Sequence, residues 1–346
     1  MPLPTTFAGV SARGEGLFAY APSAVIGSVV YGALTTGTFT WTCPAGVTSV
    51  SVIAVGGGGG NYSLYSGGQS YFDSTAVCLA PASTLTSGGV GTASYYGGSS
   101  PSGSLNVPGG GGAAGYSSNG GNGGAIGGTS PTSSSSGGGG GGSGDVKTAV
   151  YTTDDYYYAS SGGGGVDLYG VNNGYSGSAG TNGLLTGGSP PPTITASTGG
   201  GNGGAPGTVG GTYAGGNSFA NDGATGGKDS LGYGVPGVGG TGVVTYSGRT
   251  RRNSMLGGAG GGGSYGGGGG MAGTGVGYNT GGNLSYLNNY AVSPGSTYTV
   301  VVGAGSLGAS AQDGRGAGGA IRIVWPGLTR SFPSTNVSTY TNENYY

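Results

Sequence analysis

Thr38-Phe39-Thr40-Trp41-Thr42, Cys43-Pro44-Ala45-Gly46, Val47-Thr48-Ser49-Val50-Ser51-Val52-Ile53-Ala54-Val55 and Gly56-Gly57-Gly58-Gly59-Gly60 follow one another without a break. The first run alternates large and polar residues and the third is rich in valine, which is the pattern of strands. Pro44-Ala45-Gly46 supplies a turn, so two strands around a turn are predicted. The glycines that follow have no side chains to pack, so the chain must be organised there by its backbone. How the rest of the molecule is read depends on that transition.

Outward from this stretch, a matching pair of strand signatures stands near the far end: Thr297-Tyr298-Thr299-Val300-Val301-Val302 and Gly319-Ala320-Ile321-Arg322-Ile323-Val324-Trp325. Strands that begin and end the glycine-rich zone are expected to pair and close it as a clamp. Between them run glycine tracts at 56–60, 109–112, 137–142, 162–165, 199–201, 260–263 and 266–270. Gly120-Gly121-Asn122-Gly123-Gly124-Ala125 recurs as Gly200-Gly201-Asn202-Gly203-Gly204-Ala205, but no fixed period links the tracts, so a regular solenoid is not supported. The division read from these signals is an N-terminal adaptor or edge segment (1–36), opening strands (37–60), a glycine-rich body with loops (61–296), closing strands (297–330) and a polar tail (331–346).

Glycine makes up 94 of the 346 residues. Each glycine loses more conformational freedom on folding than any other residue, and ordering a residue costs about 1–2 kcal/mol in backbone entropy. Large side chains are too scarce to offset that through an ordinary core, and a lattice of backbone hydrogen bonds is the remaining route to order. The local unit is a Gly-Gly-X triplet. An extended left-handed helix with three residues per turn leaves its donors and acceptors pointing outward, and glycine at two of three positions lets neighbouring helices approach. Collagen is rejected, because only 16 prolines occur and the triplets are interrupted. The expected fold is therefore all-β and irregular, with a strand clamp around packed polyglycine II helices and Tyr-rich loops. Residues 109–128 and 199–216 are expected to be such helices without ladder bonds; a flat β-stack of glycine tracts is the alternative.

Nine basic and ten acidic side chains leave a net charge of −1. This balance excludes a nucleic-acid binder that relies on a basic face, and the composition excludes a helical enzyme and a coiled coil. The chain has no histidine, which removes Ser/His/Asp and Cys/His catalysis and most zinc and non-haem iron sites. Asp154-Asp155 is read as a solvated loop tip. Gly226-Gly227-Lys228-Asp229 fails as a phosphate loop, with aspartate where the magnesium-binding hydroxyl should stand. The run 162–169 is a single copy resembling calcium-binding nonapeptides, and one copy cannot form their stack. No enzyme, cofactor or metal is expected. Cys43 and Cys78 could pair or stand as two buried thiols. The stretch 24–34 is too short and too interrupted to span a membrane, and the N-terminus lacks the pattern of a secretory signal.

Twenty-five tyrosines gather where glycine tracts are interrupted, as at Tyr62, Tyr65, Tyr71 with Phe72, Tyr95-Tyr96, Tyr156-Tyr157-Tyr158, Tyr169 and Tyr175. Tyrosine with Ser, Gly and Asn is the composition of adaptable binding loops. The same tyrosines could instead form a skin over the glycine lattice or seal an interface between subunits.

The run 39–56 resembles the opening of glycine-rich modules in bacteriophage fibre proteins. Residues 298–305, 318–325 and 330–336 are similar to virion structural proteins of marine and cyanobacterial phages. The tracts between them resemble tail-fibre adhesins of T-even-like phages, which stack polyglycine II helices and present variable loops to the host. That resemblance implies recognition of a host surface glycan or outer-membrane protein through Tyr62, Tyr65, Tyr71, Phe72, Tyr95, Tyr96, Asp154, Asp155, Tyr156, Tyr157 and Tyr158. It also implies a place in the virion beside other fibre proteins or copies of the same chain, without nucleic-acid binding or membrane insertion. A purely structural capsid fibre or extracellular filament subunit is the alternative.

Overall fold

The computed structural model describes residues 25–60, 66–83, 89–99, 109–124, 162–170, 228–229, 231–235, 265–269, 279–307, 314–337 and 343–346, with the backbone of six short strands between 178 and 256. The chain is all-β: among the described residues there is no α-helix, and one 3-10 turn covers Thr335–Val337. Ten strands build two sheets: β1 Gly27–Tyr31, β2 Gly37–Thr42, β3 Ser49–Val55, β4 Ser70–Phe72, β5 Cys78–Ala80, β6 Ala93–Tyr95, β7 Leu284–Ala291, β8 Thr297–Val302, β9 Ala320–Trp325 and β10 Asn344–Tyr345. The six-stranded sheet has the order β10-β1-β9-β3-β7-β6, and the four-stranded sheet β2-β8-β4-β5.

Strands from the two ends of the chain are partners. β2 pairs antiparallel with β8 from Thr42 opposite Thr297 to Gly37 opposite Val302. β9 lies between β3 and β1, with Ala320 opposite Val55 and Gly27 opposite Trp325. The two strands around the Pro44-Ala45-Gly46 turn, however, do not form a hairpin: β2 belongs to one sheet and β3 to the other. The same division separates β8 from β9. The first connection crosses between layers because Trp41 and Val47, on either side of its turn, are both buried in the core between the sheets.

Other strands come from segments whose sequence carried weaker signals. The stretch read as an adaptor contains β1, an interior strand of the six-stranded sheet. The zone read as a glycine-rich body contributes β4, β5, β6 and β7. The segment read as a polar tail includes β10, parallel to β1, and the buried Phe332 and Val337. β7 has a bulge where Asn288 and Asn289 together oppose Ser51. Asn289 adopts φ 54 there, a left-handed conformation that asparagine tolerates better than most residues.

The six-stranded sheet is covered on both faces, so every residue of β3 is buried. Val50, Val52 and Ala54 face the four-stranded sheet, while Ile53 and Val55 belong to a second core on the opposite face. Between the sheets, the Trp41 ring lies 6.0 Å from Phe72, 5.9 Å from Trp325 and 5.6 Å from Tyr298. The second core is closed by Tyr116, Val166, Leu168, Tyr265, Phe332 and Val337.

The glycine tracts join these covering residues. Consecutive donors on one tract reach three different neighbours: Gly57 bonds to Gly68 at 2.8 Å, Gly58 to Ala317 at 2.8 Å and Gly59 to Thr280 at 2.8 Å. Gly111, Gly112 and Ala113 repeat the arrangement, donating to Asn279, Gly121 and Gly164. A flat strand directs its donors alternately to two sides, so it serves at most two neighbours in one plane. A Cβ on Gly58 or Gly281 would collide with the carbonyl of Gly267 or Gly112 respectively. Within 199–216, Asn202–Gly203 and Val209–Gly210 are instead ladder-bonded in two-stranded pairs, where unpaired helix was expected.

Candidate functional site

Of the aromatic contact residues expected from sequence, Tyr71, Tyr95 and Tyr96 are half-buried. Tyr71 sits on β4, opposite Val301 on one side and Leu79 on the other. Phe72 is a correction: it is 0% exposed, inside the core between the sheets, and cannot meet a receptor. Its neighbour on the strand takes the other face because side chains alternate. Tyr95 lies on β6, an edge of the six-stranded sheet, and packs against the outer core. The backbone of Tyr96 is held on both sides, its N–H donating to Asn119 Oδ1 at 3.0 Å and its carbonyl accepting from Gly120 at 2.8 Å. Tyr71 and Tyr95 belong to different sheets and do not form one strand-borne patch. Tyr62, Tyr65, Asp154, Asp155, Tyr156, Tyr157 and Tyr158 lie outside the described residues.

Sequence reasoning passed over a buried polar cluster on the outer face of the six-stranded sheet. Arg322, in the middle of β9, is 0% exposed. Its Nε donates to Glu343 Oε1 at 2.6 Å and its Nη1 to the Leu168 carbonyl at 3.0 Å, with a second Nη1 bond to the Val337 carbonyl. The guanidinium carbon stands 4.8 Å from the Tyr169 ring centroid, a cation–π contact. Glu343 Oε2 accepts from the Tyr345 hydroxyl at 3.1 Å, and the Tyr345 ring stacks on Tyr233 at 3.9 Å. One arginine thereby ties the sheet to residues 162–170, to the 3-10 turn and to the β10 segment. The signal available in sequence was the charge itself, placed among Ala320, Ile321, Ile323 and Val324.

Two carboxyls join this cluster. Asp167 Oδ1 accepts the Tyr169 N–H at 2.9 Å, and Asp229 Oδ1 accepts from Leu231 at 3.0 Å and Tyr233 at 2.8 Å. The second oxygen of Asp167 is buried without a hydrogen bond, while Asp229 has the buried Tyr265 hydroxyl as a side-chain partner. Burial pushes the Asp167 carboxyl up to about 7, and the nearby charge of Asp229 adds to the shift while Arg322 opposes it. Burial also raises Asp229, against the pull of its backbone hydrogen bonds and of its side-chain hydrogen bond with Tyr265. The Tyr116 hydroxyl donates to the Asp167 carbonyl at 3.0 Å and accepts from the Gly170 N–H at 3.2 Å. Burial holds Tyr116 and Tyr265 well above the ordinary phenol range.

Cys43 and Cys78 are free and buried. Burial raises both thiols, Cys78 to about 12. Among the described residues, no group of three or more His, Cys, Asp or Glu side chains is assembled for a metal ion, and no helix is long and apolar enough to cross a membrane. Comparison of the chain with protein families, curated proteins and solved structures finds no match.

Proposed function

We propose that the chain is a non-enzymatic virion fibre or adhesin protein of a bacteriophage. In this reading, the strands near its two ends act as a clamp on a body of packed polyglycine II helices, and aromatic loops on that body contact the host cell surface. The observation that supports it best is the bonding of Gly57, Gly58 and Gly59 to three separate neighbours, as expected of an extended helix with three residues per turn. Loops anchored in such a lattice have little freedom left to lose when a ligand docks. Tyrosine then offers a large, rigid contact face at low entropic cost. The near-zero net charge gives little attraction for polyanions and favours an uncharged or zwitterionic surface sugar, with outer-membrane protein loops next.

A structural capsid-fibre or filament subunit is the second reading. It is favoured by Tyr116, Tyr169 and Tyr265, which are all 0% exposed and so do not reach outward. A binding assay on whole bacterial cells and on an array of bacterial surface glycans separates the two. Replacing Tyr156, Tyr157 and Tyr158 together by alanine, or Tyr71 and Tyr96 together, should abolish attachment while leaving the melting temperature nearly unchanged. Variants that bind fully but fail to assemble would favour the structural subunit.

A further inference from the structure

Read outward from Thr40, β2 has the same pattern in both directions: Thr38-Phe39-Thr40-Trp41-Thr42 sets threonine and aromatic residues in turn. Strand alternation sends the threonines to one face and the aromatics to the other. Thr38, Thr40 and Thr42 are exposed, Phe39 is half-buried and Trp41 lies in the core between the sheets. No charged residue occurs between Glu15 and Asp73, and none on β8, so the outer face formed by β2 and β8 is uncharged.

Among the described residues, β2 is bonded to β8 alone. The Cys43 N–H donates to the Ser296 carbonyl at 2.9 Å. By the two-residue period of a strand, Gly37, Phe39 and Trp41 likewise turn their backbone groups toward β8. The N–H and C=O groups of Thr38, Thr40 and Thr42 therefore point away from it. The other edges are short or covered. Beyond β5, Leu79 and Val90 exchange two hydrogen bonds at 2.9 Å, and beyond β1 the Tyr346 carbonyl takes the Gly32 and Leu34 amides. β6 has only three residues. Proteins guard long edges with lysine, proline or a bulge, and β2, six residues long and in continuous register, has none of these.

We propose that β2 is the docking edge for β2 of a second copy of the chain, antiparallel about a two-fold axis at Thr40, which joins two four-stranded sheets into one continuous sheet. A two-fold contact must be self-complementary, and this strand is. Pairing about Thr40 sets Thr38 opposite Thr42 of the second copy, and Thr40 opposite its own counterpart. These are the residues whose backbone groups are open, so about six main-chain hydrogen bonds close the edge. Threonine opposite threonine is a favourable cross-strand pair, and an uncharged face meets its copy without repulsion. Beside the edge, the Tyr31 ring lies 5.1 Å from both Phe39 and Tyr346. Leu34 and Tyr346, 64% and 47% exposed, add apolar surface there. Pairing on this scale falls at or below the low end of specific interfaces, about 1,200 Å², so the dimer should dissociate on dilution. Such pairing is independent of what the Tyr-rich loops contact.

Sedimentation velocity over a dilution series of the full chain tests the pairing. The wild type should pass from dimer to monomer on dilution. Thr40→Lys sets like charges opposite each other at the axis and should weaken association by about tenfold or more. Its melting temperature should match that of the wild type at dilutions where both are monomers, because the side chain at 40 is exposed. Thr40→Glu should behave in the same way. An equimolar mixture of the two variants should recover the dimer, since pairing about residue 40 brings the lysine against the glutamate. A wild type that stays monomeric at every concentration would overturn the proposal and leave the edge to a strand of another protein. Dimers that withstand Thr40→Lys, or variants that do not recover when mixed, would place the contact elsewhere and overturn it as well.

Discussion

Arg322 concentrates the residue-scale energetics of this molecule. A buried ion pair contributes little net stability over an apolar substitute, but removal of one partner strands the other charge in the interior at a cost of about 3–5 kcal/mol. Arg322→Met should therefore lower the unfolding free energy by about 3–5 kcal/mol in urea titration, because Glu343 is left unpaired. Arg322→Met with Glu343→Leu should recover a large part of that loss. A double variant less stable than the single one would show that the ion pair is not what holds the β10 segment. The cysteines make a second prediction at this scale. A buried thiol with its ionisation pushed up to about 12 presents almost no thiolate at neutral pH. A thiol reagent should label neither Cys43 nor Cys78 in the native protein and should label both once denaturant unfolds it. Rapid labelling of Cys78 under native conditions would contradict the packing around β5.

At the scale of the elements, the tracts and the turns use glycine for different reasons. Gly58 and Gly281 are required because neighbouring backbones occupy the place of a side chain. Gly295 has open space around it and a φ of +78, so alanine there meets only the left-handed strain of about 1–2 kcal/mol. Gly58→Ala and Gly281→Ala should each be destabilised more than Gly295→Ala, at or beyond the upper part of the 1–3 kcal/mol range, roughly, for overpacking, because backbone on both sides cannot rotate away. Thermal melts of the three variants give the comparison. Equal losses at all three positions would mean that the tracts are looser than their hydrogen bonds indicate. Strands with alternating or β-branched residues, such as β2, β3, β8 and β9, were legible in sequence for the same reason that they form. Short or mixed ones such as Ser70–Phe72 and Leu284–Ala291 were not. β7 includes Asn288 and Asn289, which break the strand pattern and produce its bulge.

At the scale of the whole molecule, the end of the chain fastens the sheet edge. Tyr346 accepts from Gly32 at 2.9 Å and from Leu34 at 3.1 Å, and donates to Val30 at 2.9 Å. Its ring stacks on Tyr31 at 5.1 Å. Deletion of residues 343–346 removes these contacts and Glu343 together, so the loss should be at least that of Arg322→Met. Adding Arg322→Met to the deletion should then cost little more, since the two changes act on one contact and are not additive. A calorimetric series of the deletion, the point variant and their combination measures this coupling. Full additivity would separate the arginine from the chain end.

The amino-acid sequence by itself determined the all-β class, the positions of the valine-rich and alternating strands, and the need for backbone bonding where 94 glycines leave few side chains. These are local consequences of composition and period. Only the tertiary structure decided that the strands flanking one turn enter different sheets, that Phe72 points inward and Tyr71 does not, that Arg322 finds Glu343, and that Asp167 and Asp229 are both buried. Each of these depends on partners distant in the chain. Side-chain pattern fixes which strands meet and in what register where one face must be buried. A glycine tract carries almost no such pattern, so its partners are chosen by the side chains at its ends and by the space they leave.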